Sequence, residues 1–324
     1  MTDRRVLVTG GSGFIGTNLV QHFRDAGVPV ASLDLRPPRD AGHRDVWARV
    51  DVRDADPLGA AVREFAPTEV VNLAGEVDQF LPDMAGYDAC VAGVTNLCAA
   101  LAAYGGVRRT VFASTRLVCA LGVRPVSAYD YCPPNFYGRA KAIGEQVVRQ
   151  AVGIGEWVIV RPTSIWGPWG REPYRDFFMA LSRGRYVHPR GAVVSKHYGY
   201  VGNLVHQIDA LLQGPAQVHG TTLYGADLDP IEVGAFAALI CERMGRPAPR
   251  TLPRAVLRAV ALAGDAIERT GHHAPLTSGR LANLQTEMLF DLDDLARLAG
   301  PGPYSLVEGV DATIAHLRAV GDIR

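Results

Sequence analysis

Short apolar stretches alternate with amphipathic ones through the first half of the chain. The apolar stretches are rich in β-branched residues and predict buried strands at 5–9, 29–33, 46–50, 69–73, 108–113 and 157–161. Between them, apolar residues recur at helical spacing, and long helices are predicted near 85–104 and 136–152. This alternation predicts an α/β fold, with a doubly wound parallel sheet that helices cover on both faces.

The chain changes character beyond Thr163. Proline, glycine and aromatic residues become more frequent, and short elements replace the regular alternation. At 324 residues the chain is long enough for one or two domains with a substantial core. We therefore expect a first domain at 1–163 and a second, smaller lobe at 164–324.

The charge pattern argues against several kinds of partner. Lys and Arg together number 33, as do Asp and Glu, so the formal net charge is zero. There is no basic stripe of the kind that binds nucleic acid. Residues 255–263 are apolar, but Arg258 interrupts a stretch that is already too short to cross a bilayer. We therefore expect neither nucleic acid nor a membrane as a partner.

Cysteine usage indicates a reducing compartment. The five cysteines, at 90, 98, 119, 132 and 241, are scattered and odd in number, which is untypical of a disulfide framework or a zinc site. His272 and His273 have no partners at metal-ligand spacing, so no metal site is predicted. The chain enters a strand almost at once and shows no signal peptide, and we expect a cytoplasmic protein.

A glycine-rich turn joins the first predicted strand to a helix. Gly11, Gly13 and Gly16 satisfy G-x-G-x-x-G in the strand–turn–helix context that this motif requires. The glycines let the backbone approach a pyrophosphate lying at the helix N-terminus. Asp34 follows the second strand, where a carboxylate accepts hydrogen bonds from ribose hydroxyls and repels a 2′-phosphate. The pattern favours NAD over NADP, with the reservation that a nearby Arg36 can accommodate that phosphate.

Tyr137 and Lys141 are spaced to share one face of the helix predicted near 136–152. Lys141 is one of only two lysines among 33 basic residues, and the other is Lys196. An ammonium beside a phenol favours the phenolate and lowers the tyrosine pKa from its usual value of about 10. A tyrosine in that setting is suited to removing the proton of an alcohol.

These motifs resemble, in order and spacing, those of the extended short-chain dehydrogenase/reductases, in particular the nucleotide-sugar epimerase/dehydratase group. Residues 9–16 resemble the glycine loop, 72–75 the loop under the cofactor, 112–119 the strand and loop with the catalytic hydroxyl, and 161–168 the segment entering the substrate region. The resemblance spans nearly the whole chain. It implies a Rossmann-type NAD-binding domain at 1–163, to which 200–225 returns, and a mainly substrate-binding lobe at 164–324.

The resemblance also implies roles for individual residues. Thr115, Tyr137 and Lys141 match the catalytic Thr, Tyr and Lys. The residues that match NAD-binding positions are Gly10, Gly13, Phe14, Ile15, Gly16, Asp34, Asp51, Val52, Leu73, Ala74, Gly75 and Pro162, together with Tyr137 and Lys141. The candidate substrate contacts are Arg116, Ser164, Lys196 and Arg280, of which Lys196 and Arg280 match basic residues that meet a diphosphate.

Departures from the family pattern bear on the substrate. Arg116 and Leu117 follow Thr115 where 4,6-dehydratases have an Asp-Glu pair, which disfavours loss of water. Decarboxylating relatives have a Glu at the position of Arg116, so decarboxylation is disfavoured too. Arg116 can bind a uronate carboxylate bidentately, or it can point to solvent or pair with an acid elsewhere. Ser164 stands where an Asn often contacts the sugar nucleotide.

The function implied is that of an NAD-dependent nucleotide-sugar epimerase acting at C4 through transient hydride transfer and a 4-keto intermediate, with a uronate as one hypothesis for the sugar. One alternative is a dehydrogenase or reductase of a nucleotide sugar or of a 3β-hydroxysteroid-like apolar alcohol, because residues 252–265 loosely resemble 3β-hydroxysteroid dehydrogenases. Another is a non-catalytic NAD-binding sensor, against which the intact Thr115, Tyr137 and Lys141 argue. The helices near 85–104 and 136–152 resemble those of a homodimer interface, or their apolar faces belong only to the core.

Overall fold

A parallel sheet forms the centre of the computed structural model, which describes residues 4–123, 125–272, 274 and 276–323. The strands are β1 (Val6–Thr9), β2 (Val30–Asp34), β3 (Trp47–Arg49), β4 (Glu69–Asn72), β5 (Arg109–Ala113), β6 (Glu156–Pro162), β7 (Ser164–Trp166), β8 (Val187–Pro189), β9 (Ser195–Lys196), β10 (Tyr198–Tyr200), β11 (Thr222–Gly225), β12 (Ile231–Glu232) and β13 (Arg250–Leu252). Seven of them pair in the order β11-β6-β5-β4-β1-β2-β3, all in parallel. All six predicted strands are therefore present.

Helices cover the sheet on both faces. They are α1 (Phe14–Asp25), α2 (Ala55–Phe65), α3 (Asp88–Tyr104), α4 (Phe136–Gln150), α5 (Tyr174–Ser182), α6 (Val201–Gln213), α7 (Val233–Arg243), α8 (Arg254–Glu268), α9 (Ser278–Gln285), α10 (Asp293–Ala299) and α11 (Leu306–Ala319). Val6 and Val8 of β1 belong to a core shared with α1 and α6, and Leu7 belongs to a core shared with α2, α3 and α4. Because successive strand residues point to opposite faces, both faces must be apolar, as in a doubly wound Rossmann-type sheet.

The strand order places the chemistry-bearing segments at one edge. β1 lies between β2 and β4, so the direction of winding reverses there. In doubly wound sheets, ligands bind beyond the carboxyl ends of the strands at this switch point. Thr9 ends β1 and Asn72 ends β4, and the Thr9 hydroxyl donates a 2.6 Å hydrogen bond to the Asn72 side-chain oxygen. This hydrogen bond therefore holds together the starts of the glycine loop and of the loop at 73–75.

The C-terminal part of the chain forms a smaller lobe of short elements. Three two-stranded pairs lie outside the main sheet: β7 with β10, β8 with β13, and β9 with β12. Trp166 of β7 is fully buried among the rings of Phe178, Tyr200 and Phe236. β11 lies outside the strands predicted from the residue pattern, and it adds an edge strand beside β6. The lobe boundary after residue 163 stays a prediction.

Residues 85–104 form the one helical stretch of the described chain that is long and apolar enough to cross a membrane, judged by length and composition. About 39% of its most apolar window is buried inside the molecule. α3, which makes up most of this stretch, lies between α2 and α4 and supplies Leu97 and Leu101 to the core. A core helix satisfies the same criteria, so this feature carries no inference about a membrane.

Candidate active site

The glycine loop forms an open cradle at the start of α1. Gly10 has a φ of +74°, and a β-carbon there would run into the Leu73 backbone at 2.6 Å. Gly13 caps the helix without any side chain, and the first turn of α1 contains no acidic residue. The first backbone N–H groups of α1, from Phe14, Ile15 and Gly16, are therefore free of a competing side-chain cap. Such a terminus suits a pyrophosphate, and NAD carries one.

Two carboxylates border this cradle. Asp34 at the end of β2 accepts hydrogen bonds from the backbone N–H of Ser12 and of Arg36, each at 3.0 Å. These bonds fix the carboxylate next to the glycine loop, where it faces the ribose position expected from the motif. Asp51 pairs with Arg53 at 2.6 Å, and hydrogen bonds from Arg53 lower the pKa of Asp51. Val52 is buried beside it.

The loop after β4 brings the cradle next to Lys141. The backbone N–H of Leu73 donates to Thr9 at 2.9 Å, and that of Ala74 reaches the Thr9 hydroxyl at 3.4 Å. Gly75 then lies against the Lys141 ammonium, which donates a 3.0 Å hydrogen bond to the carbonyl of Ala113. Pro162 ends β6 at the same edge of the sheet. The glycine loop, Asp34, the loop at 73–75 and Lys141 therefore share one edge of the sheet, which is the arrangement that NAD binding requires.

Thr115 and Tyr137 lie together beyond the end of β5. Thr115 caps a short turn at Arg116–Val118, and its hydroxyl accepts a 3.2 Å hydrogen bond from the Leu117 N–H. Tyr137 lies in the first turn of α4, whose cap is the Asn135 side chain, bonded to the Gly138 N–H at 2.9 Å. The Thr115 side chain is near enough to the Tyr137 phenol to act on its pKa, which it lowers. The structure therefore brings the predicted hydroxyl and the predicted base together.

The electrostatics of Tyr137 differ from the expectation drawn from its sequence spacing. Burial raises the pKa of the Tyr137 phenol, and this effect outweighs the lowering by the Lys141 charge and the Thr115 side chain. Desolvation disfavours the phenolate because the anion loses its hydration. Lys141 acts in the expected direction, but alone it does not bring the pKa toward neutrality. The positive charge of an oxidised nicotinamide would act in the same direction as Lys141.

A buried polar cluster supports the catalytic residues from behind. Glu145, one helical turn after Lys141, binds Arg161 through both carboxylate oxygens, at 2.8 and 2.7 Å. It also accepts a 2.5 Å hydrogen bond from the hydroxyl of Ser114, the residue before Thr115. The partners are distant in sequence, and only the i,i+4 spacing of Glu145 and Lys141 hinted at a shared face. The cluster therefore ties β5, β6 and α4 together.

Two cations lie near each other next to Thr115: Arg116, the following residue, and Lys196, on which the Arg116 charge acts. Lys196 is buried, and its ammonium donates to the backbone carbonyl of Asn283 at 2.6 Å and to its side-chain oxygen at 2.7 Å. Burial, together with the charge of Arg116, lowers the pKa of Lys196 to about 8. Arg116 is partly buried, and its guanidinium has no hydrogen bond or ion pair with the described residues. Burial lowers the pKa of Arg116. Two cations near each other without an acid favour an anionic ligand.

The other predicted substrate residues are Ser164 on β7 and Arg280 on α9, the helix that also carries Asn283. Ser164 is buried at the start of β7 and lowers the pKa of Tyr174, which itself acts electrostatically on Arg116. Arg280 instead bonds the carbonyl of Ala274 and pairs with Glu268 at 3.2 Å. A substrate role for Arg280 stays a prediction. Among the described residues there is no group of three or more His, Cys, Asp and Glu arranged to hold a metal ion.

The family model for the NAD dependent epimerase/dehydratase family matches residues 6–223. The N-acetyl-alpha-D-glucosaminyl-diphospho-ditrans,octacis-undecaprenol 4-epimerase of Escherichia coli O157:H7 is 26% identical over 318 residues, which cover 96% of this chain and 94% of the relative. A 3 beta-hydroxysteroid dehydrogenase/Delta 5→4-isomerase of Mycobacterium tuberculosis is 29% identical over 269 residues, covering 76% of this chain and 71% of the relative.

Solved structures share the fold along nearly the whole chain. The UDP-glucose 4-epimerase of Thermus thermophilus, crystallised with NAD, superposes with a TM-score of 0.72 at 24% sequence identity. The match covers 97% of this chain and 99% of that one. At this level of identity the likeness establishes the Rossmann-type fold.

Proposed function

Since the chain belongs to the NAD-dependent epimerase/dehydratase family, we propose that it is an epimerase that inverts the C4 hydroxyl of a nucleotide-linked sugar. NAD is the cofactor of this family, and the glycine cradle and Asp34 have the shape and charge that NAD requires. The observation that carries the proposal is the placement of Thr115, Tyr137 and Lys141 together beside this cradle.

The three side chains divide the work of alcohol oxidation. Bound NAD supplies a hydride acceptor and, later, a hydride donor. The Tyr137 phenolate takes the proton of the C4 hydroxyl, and Thr115 donates a hydrogen bond to the oxygen as its bonding changes. Lys141, anchored on the Ala113 carbonyl, keeps a positive charge beside the phenol. The 4-keto sugar then rotates, so that the hydride is returned to the opposite face of C4. Tyr137 returns the proton to the C4 oxygen.

Epimerisation fits the surroundings of Thr115 better than dehydration. Loss of water from the sugar needs carboxylates or similar acids and bases near C5 and C6. Arg116 and Leu117 occupy the positions after Thr115, and Arg116 acts electrostatically on Tyr174, Tyr224 and Lys196. These groups supply no carboxylate to remove water, so the intermediate is expected to be returned to an alcohol.

The unpaired Arg116 supports an anionic sugar, and we extend the proposal to a uronate as the preferred substrate. A guanidinium matches the two oxygens of a carboxylate bidentately. Within the described residues Arg116 has no acidic partner, so a substrate carboxylate would supply one. Arg116→Leu should lower kcat/KM for a nucleotide uronate by on the order of 10- to 100-fold more than for the neutral sugar. Equal losses for the two sugars would end the uronate proposal.

A second candidate function is supported by the mouth of the site. Phe80 is 90% exposed and Val77 is 57% exposed on the segment that follows Gly75. Asn135, the cap of α4, donates to the Gln79 carbonyl at 3.3 Å, so this segment borders the helix that carries Tyr137. Exposed apolar side chains beside a cleft suit an apolar alcohol as the substrate. The chain would then be an oxidoreductase similar to the steroid dehydrogenase of Mycobacterium tuberculosis. In that case Lys196 and Arg116 would have no anion to bind.

The decisive experiment incubates the NAD-loaded protein with UDP-, dTDP- and GDP-sugars, uronates included, and with a 3β-hydroxysteroid. Products are followed by chromatography, mass and NADH absorbance, and Tyr137→Phe is the matched control. A product of unchanged mass without net NADH, absent in the control, supports the epimerase. Stoichiometric NADH with a ketone product supports the dehydrogenase. NAD binding without turnover of any of these compounds would overturn the epimerase proposal.

We also propose a cytoplasmic homodimer that pairs through α3 and α4. Much of each helix is buried within the chain, but α3 exposes small residues, Thr95, Ala99, Ala102 and Ala103, that permit close helix packing. Light scattering coupled to size exclusion measures the mass directly. Ala99→Arg should shift a dimer to monomer, whereas a wild-type mass equal to one 34.8 kDa chain would contradict the proposal.

A further inference from the structure

Two cysteines face each other between the catalytic residues. Cys119 and Cys132 are partners in an isolated parallel β-bridge. The bridge is held by two backbone hydrogen bonds, from the Cys132 N–H to the Val118 carbonyl at 2.9 Å and from the Ala120 N–H to the Cys132 carbonyl at 3.0 Å. Facing residues on neighbouring strands point to the same side, and such strands lie about 4.8 Å apart. A disulfide needs Cα atoms about 4.4–6.8 Å apart, so this backbone is compatible with one.

The two side chains already interact. The Cys132 side chain acts on the Cys119 thiol and contributes to raising its pKa, and the Cys119 thiol donates a hydrogen bond to the Asp130 carbonyl at 3.1 Å. All five cysteines lie among the described residues, and all five are free thiols. Cys90, Cys98 and Cys241 are buried elsewhere, and Cys119 and Cys132 differ from them in facing each other across a β-bridge.

The two thiols differ in their access to solvent. Cys119 is 4% exposed, whereas Cys132 is exposed. Burial raises the pKa of the Cys119 thiol, with a further contribution from Cys132, while the Arg161 charge acts in the opposite direction. Redox-sensitive cysteine pairs have this arrangement: the accessible thiol reacts first, and the protected thiol beside it reacts second.

We propose that Cys119 and Cys132 form a reversible intramolecular disulfide by exchange with a small disulfide such as glutathione disulfide. The Cys132 thiolate attacks one sulfur of the oxidant, whose S–S bond breaks and releases one glutathione thiolate. The Cys119 thiol loses its proton to that base and attacks the Cys132 sulfur, which breaks the mixed disulfide and releases the second glutathione. Two protein thiols are oxidised and one disulfide is reduced to two thiols.

The position of the bond makes it a candidate for control of the site. It would close the loop at 120–131, whose two ends lead directly to the catalytic residues. Thr115 lies four residues before Cys119, and Tyr137 lies five residues after Cys132. Oxidation would therefore restrain the segment that joins the hydroxyl to the base. Catalysis needs neither sulfur, so the inference is independent of the proposed substrate.

The test is a count of free thiols. Full-length protein is treated with glutathione disulfide, denatured, labelled with N-ethylmaleimide and analysed by intact mass and peptide mapping. Reduced protein should take up five labels, and oxidised protein should take up three, with one linked peptide pair containing Cys119 and Cys132. Dithiothreitol should restore five labels. A disulfide between other cysteines, a link between two molecules, or an unchanged count would overturn the proposal.

Two matched variants separate the steps. Cys119→Ser leaves the exposed thiol without its partner, so it should stop at a single glutathione adduct on Cys132. Cys132→Ser removes the entry point, so all four remaining thiols should stay free under the same treatment. Circular dichroism and thermal unfolding check that both variants fold, and the wild-type count decides the proposal if either does not. A stable glutathione adduct on wild-type Cys132 would also overturn it.

Discussion

Gly138 lies so close to the carbonyl oxygen of Leu117 that a β-carbon on Gly138 would be nearer than 3.0 Å to it. Gly138 follows Tyr137 in the first turn of α4, and Leu117 belongs to the turn that Thr115 caps. The contact therefore sets the distance between the segment that carries the hydroxyl and the helix that carries the base. Glycine is required here for its lack of a side chain.

Gly138→Ala should impair catalysis more than folding. The added methyl group would separate α4 from the Leu117 carbonyl, and a displacement of about 1 Å at a catalytic group reduces rates by on the order of 100-fold. We expect kcat to fall by roughly tenfold or more, with NAD affinity nearly unchanged. Steady-state kinetics and NAD titration measure the two effects. Gly279→Ala on α9 is the control, because its β-carbon would meet no atom within 4 Å; equal kinetics for the two variants would refute the argument.

Lys196 should make binding of the substrate diphosphate dependent on pH. Its pKa is lowered to about 8 by burial and by Arg116, so the ammonium is charged below that pH and neutral above it. An anion binds the charged form, and affinity should therefore fall by up to about fivefold between pH 8 and 9. The nucleoside diphosphate of the preferred substrate, titrated by calorimetry, avoids interference from the titration of Tyr137 in turnover.

Lys196→Arg is the matched variant for this pH dependence. A guanidinium stays charged throughout the range, so the loss of affinity above pH 8 should disappear. Its larger planar head also replaces an ammonium held by two oxygens of Asn283, and we expect weaker binding at pH 7. Affinity that is level from pH 7 to 9.5 in the wild type would exclude Lys196 as a diphosphate ligand.

Sequence patterns predict the candidate site only as far as local rules determine it. Strand ends, the glycine loop and the i,i+4 spacing of Tyr137 and Lys141 depend on neighbours in the chain. The contacts of Lys196 with Asn283 and of Glu145 with Arg161 join residues 87 and 16 positions apart, and no periodicity encodes them. The pKa of Tyr137 escaped prediction for the same reason, since burial depends on the whole fold.

Glu145 should contribute strongly to stability because its partner has no access to water. Arg161 is 1% exposed, so Glu145→Ala leaves a buried guanidinium unpaired. Removing one partner of a buried pair costs about 3–5 kcal/mol.

Urea unfolding of Glu145→Ala should show a loss of unfolding free energy of that order, and adding Arg161→Met to the same chain should recover part of it. Glu268→Ala breaks the exposed pair with Arg280 and should cost about 1 kcal/mol or less. Comparable losses for the two glutamates would contradict this account.

Asp34 should control the choice between NAD and NADP. Arg36 and Arg39 lie near it: the Arg36 N–H donates to the Asp34 carboxylate, and Arg39 feels the charges of Asp34, Arg36 and Arg171 while burial lowers its pKa. The 2′-phosphate of NADP would be attracted by these arginines and repelled by Asp34. We expect the repulsion to prevail, because Asp34 ends β2 beside the glycine loop, where the ribose hydroxyls are expected. One charge at about 4 Å contributes roughly 1–4 kcal/mol, depending on solvent access.

Asp34→Asn should therefore raise NADP affinity relative to NAD by on the order of tenfold or more. NAD affinity itself should fall, because an amide accepts only one of the two backbone hydrogen bonds that now come from Ser12 and Arg36. Fluorescence titration with each cofactor gives the ratio. Adding Arg36→Ala to Asp34→Asn should reverse much of the gain in NADP affinity if the arginines attract the phosphate. An unchanged ratio in Asp34→Asn would mean that the carboxylate does not face the 2′ position, and that cofactor choice rests on the arginines alone.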